Sequence, residues 1–133
     1  MNKRFLMIFL AISMLMLASI ACESSVSTAN ITSVVLTADK DAPTDTTTFT
    51  PDQTFYAVVT VANAPDSTKV KAVWSTVDDA GKATQIAEKE IVGSNSSITF
   101  DATNTAGPWP AGKYRVEIFL NDKSNKTIEF TVQ

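Results

Sequence analysis

Short runs in which apolar and polar residues alternate recur along this sequence and limit the folds that it can adopt. In the run 112–120, every second residue from Tyr114 to Leu120 is large and apolar, and Arg115 and Glu117 lie between them. Successive side chains of a β-strand point to opposite faces of its sheet, so this alternation indicates a strand with one buried face. The run therefore predicts a half-buried strand.

Six further runs are typical of strands, and turn-forming residues separate them at intervals of about 8 to 12 residues. The predicted strands are 31–38, 54–63, 69–77, 86–92, 97–102, 112–120 and 127–133. Seven short strands in one small chain predict an all-β fold, a single seven-stranded antiparallel sandwich of two sheets. In this sandwich Trp74 packs between the sheets, and the last two strands form a hairpin closed by a turn at 121–125.

The segment 109–118 resembles the sixth strand of immunoglobulin-like (Ig-like) and fibronectin-III-like domains. In such domains a Gly-x-Tyr sequence opens the strand, and Gly112, Lys113 and Tyr114 match it. The resemblance extends over 31–133 and implies an Ig-like sandwich in which the Tyr114 hydroxyl caps a corner. Sandwiches of this kind carry many unrelated functions, so the resemblance implies no particular activity.

The beginning of the chain has the three parts of an export signal. Lys3 and Arg4 come first, an apolar stretch follows from Phe5 onward, and small residues precede Cys22. This cysteine is the only one in the chain, and a polar segment begins directly after it. The pattern predicts an exported protein.

The junction of Ala21 and Cys22 resembles the lipobox of bacterial lipoproteins, although Ser19 stands where that family prefers Leu. In that family a diacylglyceryl group is attached to the cysteine sulfur, the leader is cut before it, and the new amino terminus is often acylated, for example with palmitate. The resemblance implies a signal peptide at 1–21, and a lipidated cysteine with a flexible tether at 22–30. The domain at 31–133 would then be anchored to the outer face of the cell membrane or to the outer membrane. The alternatives are cleavage by an ordinary signal peptidase and an uncleaved anchor.

Charge and composition argue against several classes of function. Without Lys3 and Arg4, nine basic residues remain against 14 acidic ones, so nucleic acid is not an expected partner. The chain has no histidine, which excludes Ser-His-Asp and Cys-His catalysis and His-ligated zinc sites. We expect no cofactor and no metal.

Two groups of aspartates invite a functional interpretation. The first group lies in one region between predicted strands and offers oxygen ligands that calcium would accept, but it lacks the spacing of a known calcium loop; it comprises Asp39, Asp41, Asp45 and Asp52. The second is the adjacent pair Asp78 and Asp79, whose side chains would not flank a single bond. Aspartates of both groups are expected to cap turns.

Three aromatic residues are candidates for a binding surface. Trp109 lies between Pro108 and Pro110, which fix the backbone around one large ring. It is either a lid over the end of the core, which the pattern favours, or a contact residue. Tyr56 and Phe119 fall on strand faces that alternation places outside the core.

The function favoured by these observations is a non-enzymatic protein-interaction module, anchored by lipid at the cell envelope and bound to an envelope protein. The alternative is a module that binds carbohydrate or a cell-wall polymer, for which several aromatic rings would have to form one row. A protease inhibitor acting through a protruding proline loop is a third hypothesis. An enzyme is the least favoured, because the remaining carboxylates and hydroxyls form no recognisable catalytic set.

Overall fold

The structure is a computed structural model that describes residues 27–133, in which two β-sheets pack face to face. The strands are β1 (Asn30–Thr37), β2 (Thr48–Phe49), β3 (Phe55–Ala62), β4 (Lys69–Val77), β5 (Ala83–Val92), β6 (Ser97–Ala102), β7 (Gly112–Leu120) and β8 (Lys123–Val132). One sheet has the order β1-β3-β6 and the other β2-β8-β7-β4-β5. The all-β sandwich predicted from the sequence is confirmed.

The predicted signal peptide, Cys22 and the first part of the tether lie outside the described residues. Within residues 27–133 there is no helix of the length and apolarity that spanning a membrane requires.

The core between the sheets is built by the alternating strands and is rich in aromatic rings. Trp74 is 1% exposed, as its predicted place between the sheets requires. Phe55 lies at the centre of the aromatic group, with ring centroids of Phe49 and Phe130 at 4.9 Å and 4.8 Å. Aromatic pairs in such edge-to-face arrangements contribute about 0.5–1.5 kcal/mol beyond the area that they bury.

The sandwich has eight strands, so the predicted number of seven is wrong, and one pairing is parallel where only antiparallel pairs were predicted. The additional strand is β2, whose two residues pair in parallel with the end of β8. Two residues are too few for an alternating pattern. The strand exists because the Phe49 ring, 1% exposed, is buried between Phe55 and Phe130.

Two strands begin three or four residues earlier than predicted, and both differences have the same physical cause. β5 begins at Ala83 instead of residue 86, and β8 begins at Lys123 instead of residue 127. The added residues are 83–85 and 123–126; all but Ala83 are exposed, and they lie where one side of the strand has no neighbour, so no apolar alternation marks them. The β7–β8 hairpin is confirmed, but its turn consists only of Asn121 and Asp122, both with positive φ.

The described chain starts at one end of the sandwich, which we call the N-terminal end. Ser27 Oγ accepts a hydrogen bond from Asn121 Nδ2 at 3.1 Å, and Thr28 Oγ1 donates one to the Asn63 carbonyl oxygen at 3.2 Å. The strand pairings place residues 63–68, 93–96 and 121–122 at this end. The opposite end, which we call the distal end, consists of the connections 38–47, 50–54, 78–82 and 103–111.

Candidate functional site

Trp109 lies at the distal end and covers the aromatic core. Its ring stacks on Phe55 with centroids 4.7 Å apart and an angle of 20° between the planes, and it contacts Tyr114 edge to face at 6.0 Å. The side chain is partly buried. This is the arrangement of the lid interpretation, and it still leaves part of the ring in contact with solvent.

Two distal connections are fastened to each other at Trp109. Its backbone N–H donates to the Pro51 carbonyl oxygen at 2.8 Å, and its indole Nε1–H donates to the Gln53 carbonyl oxygen at 3.1 Å. The Gln53 side chain in turn accepts a hydrogen bond from the Thr50 backbone N–H at 2.9 Å. Trp109 is therefore held in one place by both its stacking and its polar contacts.

The loop before Trp109 is closed by Asn104. Its side chain accepts a hydrogen bond from the Ala106 backbone N–H at 3.0 Å and donates one to the Pro108 carbonyl oxygen at 3.2 Å. These two hydrogen bonds and the ring of Pro108 restrict the backbone of the loop 104–108. A partner would meet a surface that is already ordered.

Between the two connections lies a hollow of about 300 Å³, which we call the distal hollow. It offers hydroxyl groups, side-chain amides, one carboxylate and the free part of the indole ring. Its lining residues are Pro51, Asp52, Gln53, Thr54, Thr103, Asn104, Thr105, Gly107, Pro108 and Trp109. These residues provide hydrogen-bond donors and acceptors around one aromatic ring, and binding sites commonly combine such groups.

The structure does not bring the three candidate aromatic residues together. Tyr56 lies on the outer face of the β1-β3-β6 sheet, with Val35 and Val58 beside it, and is partly buried. Phe119 lies on the outer face of the other sheet, where Lys71 Nζ is 4.8 Å from the ring centroid. Trp109 is at the distal end, so the three rings face three different sides of the domain.

Tyr114 has the role that the Ig-like resemblance implies. Its hydroxyl donates to the Pro110 carbonyl oxygen at 2.7 Å, which ties the start of β7 to the proline loop. The side chain is 2% exposed, and burial raises the pKa of its phenol above the usual value, because the charged form would be poorly solvated. The hydrogen bond from Tyr114 therefore holds the backbone next to Trp109 against the start of β7.

Two aspartates of the distal end, Asp39 and Asp78, act as turn caps, whereas Asp41 pairs with the Lys40 ammonium at 2.8 Å. The Asp39 carboxylate accepts from the backbone N–H groups of Asp41 at 2.9 Å and Ala42 at 3.3 Å. Asp78 accepts from those of Ala80 at 3.0 Å and Lys82 at 2.8 Å. Within residues 27–133, no three acidic or cysteine side chains form a cluster that could hold a metal ion. The calcium interpretation therefore receives no support from this part of the chain.

The distal end carries most of the domain's aspartates and has an acidic character. Its connections contain two lysines, Lys40 and Lys82. Its six aspartates are Asp39, Asp41, Asp45, Asp52, Asp78 and Asp79. An excess of one sign of charge at one end favours partners with the opposite charge at their contact surface.

The residues that the sequence reasoning missed are Gln53 and Asn104. The Gln53 carbonyl oxygen accepts a hydrogen bond from Trp109, which is 56 positions away in the sequence, so no local pattern predicts this contact. Asn104 could have been found from the sequence, because an asparagine three residues before the Gly107-Pro108 pair is a recognisable turn signal.

Comparison with known proteins gives a fold and no family. No family model matches the sequence, and no curated protein matches it. Forty-three chains of solved structures do match. An immunoglobulin-like protein from Pseudomonas aeruginosa is similar with a TM-score of 0.54 and 12% identity, over 79% of this chain and 96% of that one.

A second similar structure is the alkylpurine DNA glycosylase AlkC from Pseudomonas fluorescens, bound to DNA containing an abasic-site analogue. The TM-score is 0.50 and the identity 16%, over 79% of this chain. This chain spans only 30% of the length of the glycosylase. At these identities the similarity shows the fold alone: the domain is an Ig-like β-sandwich.

Proposed function

We propose that this chain is a lipid-anchored, extracytoplasmic Ig-like module that binds an envelope protein through its distal end and catalyses no reaction. The observation that carries the proposal is the position of Ser27 and Thr28, the residues that lead into β1. The described chain enters at the N-terminal end, where Ser27 and Thr28 contact Asn121 and Asn63, and the distal hollow lies at the other end.

Anchoring at Cys22 would fix how the domain is oriented relative to the membrane. Only residues 23–26 separate Cys22 from Ser27, and an extended chain spans at most about 3.5 Å per residue. The N-terminal end of the domain would therefore stay close to the lipid surface. The distal hollow would be held on the side that faces away from the membrane, where a partner can reach it.

The distal end has the properties of a contact surface for protein. Stacking and hydrogen bonds fix Trp109, so binding would cost little additional conformational entropy. Aromatic residues of this kind are common anchors at interfaces. The acidic distal connections support a partner with a basic contact surface.

Binding of carbohydrate or of a cell-wall polymer has less support than binding of protein. A sugar-binding surface would require aromatic rings in one row, and Trp109, Tyr56 and Phe119 face different sides. Trp109 also uses one face of its ring against Phe55.

The proposal is tested by crosslinking the full-length protein in cells and identifying what it captures by mass spectrometry. Thr105→Arg places a bulky cation at the exposed rim of the distal hollow without touching the core. Thr99→Arg is the matched control, on the exposed outer face of β6. We expect one dominant envelope protein with the wild type and with Thr99→Arg, and a decrease of about tenfold or more with Thr105→Arg, as a loss of about 1.4 kcal/mol would produce.

Cys22→Ala tests the anchor in the same experiment. We expect it to abolish incorporation of labelled palmitate and to release the protein from the membrane fraction, since two or three acyl chains are needed for firm anchoring. Acyl label that survives Cys22→Ala would refute lipidation at this cysteine. Equal capture by Thr105→Arg and Thr99→Arg would refute the distal site, and the absence of any dominant protein would favour the polymer-binding alternative.

A further inference from the structure

β5 forms one edge of the five-stranded sheet. β5 pairs with β4 on one side, and among residues 27–133 no strand pairs with its other side. It is ten residues long, and most of its residues are exposed. An unpaired edge of this length is a template to which another extended chain can add.

The hydrogen bonds at the end of β5 identify which backbone groups face the open edge. The Gly93 N–H donates to the Thr68 carbonyl oxygen at 2.9 Å, so this pair is a hydrogen-bonded one. In an antiparallel ladder such pairs recur at every second residue, which directs the backbone groups of residues 91 and 89 toward β4. The intervening residues Glu88, Glu90 and Val92 therefore direct their N–H and C=O groups toward the open edge.

The pairing on the other side of β4 leads to the same assignment. The Asn121 N–H donates to the Lys69 carbonyl oxygen at 2.8 Å, so Lys69 and every second residue after it bond to β7. The residues between them, Val70, Ala72 and Trp74, are left to bond to β5, opposite Ile91, Lys89 and Ala87.

The regular part of this edge is limited by a bulge. The register between β4 and β5 shifts at Trp74 and Ser75, which leaves Ile86 as an extra residue on β5. Ile86 and Val92 flank the regular part and are 39% and 57% exposed. They are the two exposed large apolar side chains of the part of the chain that the structure describes.

The side chains that accompany the open backbone groups are acidic. Glu88, Glu90 and Val92 share the outer face of the sheet, opposite Val73, Lys71 and Lys69 of β4. Glu90 has Lys71 across the strand pair, whereas Glu88 has the uncharged Val73 there. A strand that added at this edge would place its own side chains directly beside both glutamates and Val92.

These charges disfavour a second copy of the same strand. Antiparallel self-pairing centred on Glu88, Lys89 or Glu90 would bring Glu88 opposite Glu88, Glu88 opposite Glu90, or Glu90 opposite Glu90. Like charges directly opposite each other destabilise a strand pair. The glutamates therefore protect the edge against identical chains and leave it open to a strand with the opposite charge.

We propose that the open edge of β5 binds an extended, basic segment of a partner protein by β-augmentation. In an antiparallel addition, the partner residue opposite Val92 comes first, followed at alternate positions by those opposite Glu90 and Glu88. The segment that fits this edge reads apolar-x-basic-x-basic. The proposal depends neither on lipidation of Cys22 nor on the distal hollow.

The test uses the full-length protein in detergent and two synthetic peptides, capped at both ends. The first, Thr-Val-Thr-Lys-Thr-Lys-Thr, carries the predicted pattern, and the second has Glu in place of both Lys residues. Amide hydrogen exchange is measured by NMR with and without peptide. In the free protein we expect fast exchange at Glu88, Glu90 and Val92, and slow exchange at Lys89 and Ile91. The basic peptide should slow exchange at the first three amides, and the acidic peptide should not.

Two double variants, each with two glutamates replaced by lysines, test the role of charge at the edge and provide its matched control. In the double variant Glu88→Lys/Glu90→Lys, we expect affinity for the basic peptide to fall about tenfold or more and the acidic peptide to bind instead. Glu117→Lys/Glu129→Lys changes the net charge equally on β7 and β8, away from the β5 edge, and should bind the basic peptide as the wild type does. Equal weakening by both double variants, or slow exchange at Glu88, Glu90 and Val92 before peptide is added, would overturn the proposal. So would an absence of any peptide-induced protection at these amides.

Discussion

At the scale of single residues, Trp109 joins the stability of the domain to its proposed function. Its ring is stacked on Phe55 in the core, and its indole N–H bonds to the loop that forms the opposite wall of the distal hollow. The flanking prolines predicted a fixed aromatic residue from the sequence alone. Its hydrogen-bond partner Gln53 was not predictable, because the two residues meet only when the sheets have packed.

Trp109→Ala should destabilise the domain by about 2–3 kcal/mol, less than for a fully buried tryptophan, because the ring is only partly buried. Trp109→Phe keeps an aromatic ring over Phe55 but loses the bond to Gln53, and it should cost about 1 kcal/mol. Urea unfolding followed by tryptophan fluorescence of Trp74 measures both changes. Equal stability of Trp109→Ala and the wild type would show that the ring is not a lid over the core.

Tyr114 predicts how stability depends on alkaline pH. Burial raises the pKa of its phenol in the folded protein above the unfolded value of 10.0. The unfolded state therefore loses its proton first, and the contribution to stability is complete below about pH 10 and is lost as the pH rises through the folded pKa.

The wild type should lose more stability than Tyr114→Phe between pH 8 and 11, and the two curves should converge as the pH rises. At pH 7, Tyr114→Phe should be less stable by about 1 kcal/mol, because the hydrogen bond to the Pro110 carbonyl oxygen is missing. Urea unfolding at several pH values gives both results. Parallel curves over the whole range would contradict an effect of burial on this phenol.

At the scale of strands, alternation predicted those elements that have one buried face. The bounds of β4, β6 and β7 agree with the prediction, and each of these strands buries every second residue over much of its length. The extra residues of β5 and β8 escaped prediction because nearly all of their side chains are exposed. An exposed edge places no demand on side-chain polarity, so the sequence there carries no periodic signal.

The two-residue strand β2 makes a separate prediction. Phe49→Ala removes a ring that is 1% exposed and contacts both Phe55 and Phe130, so it should cost about 3–5 kcal/mol. Thr48→Ala changes an exposed side chain of the same strand and should stay within about 0.5 kcal/mol of the wild type. Thermal and urea unfolding compare the two. A loss below about 1 kcal/mol in Phe49→Ala would show that the buried ring does not hold β2 in place.

At the scale of the whole molecule, the sandwich places the N-terminal end and the distal hollow on opposite sides of the domain. The architecture was predictable from the number and spacing of strands, and the Ig-like fold was anticipated by the Gly112-Lys113-Tyr114 sequence. The assembly of the distal hollow was not predictable, because it depends on which connections the strand order brings to the same end. The separation of Tyr56, Phe119 and Trp109 onto different sides has the same origin.

Site-specific photo-crosslinking of the full-length protein in intact cells distinguishes a partner bound at the distal end from one bound at the N-terminal end. The crosslinking residue is placed at Thr105, on the rim of the distal hollow, or at Asn95, which is exposed at the N-terminal end. We predict a discrete adduct with one envelope protein from position 105 and none of that mass from position 95. The same adduct from both positions, or an adduct only from position 95, would contradict an anchored domain that meets its partner through the distal end.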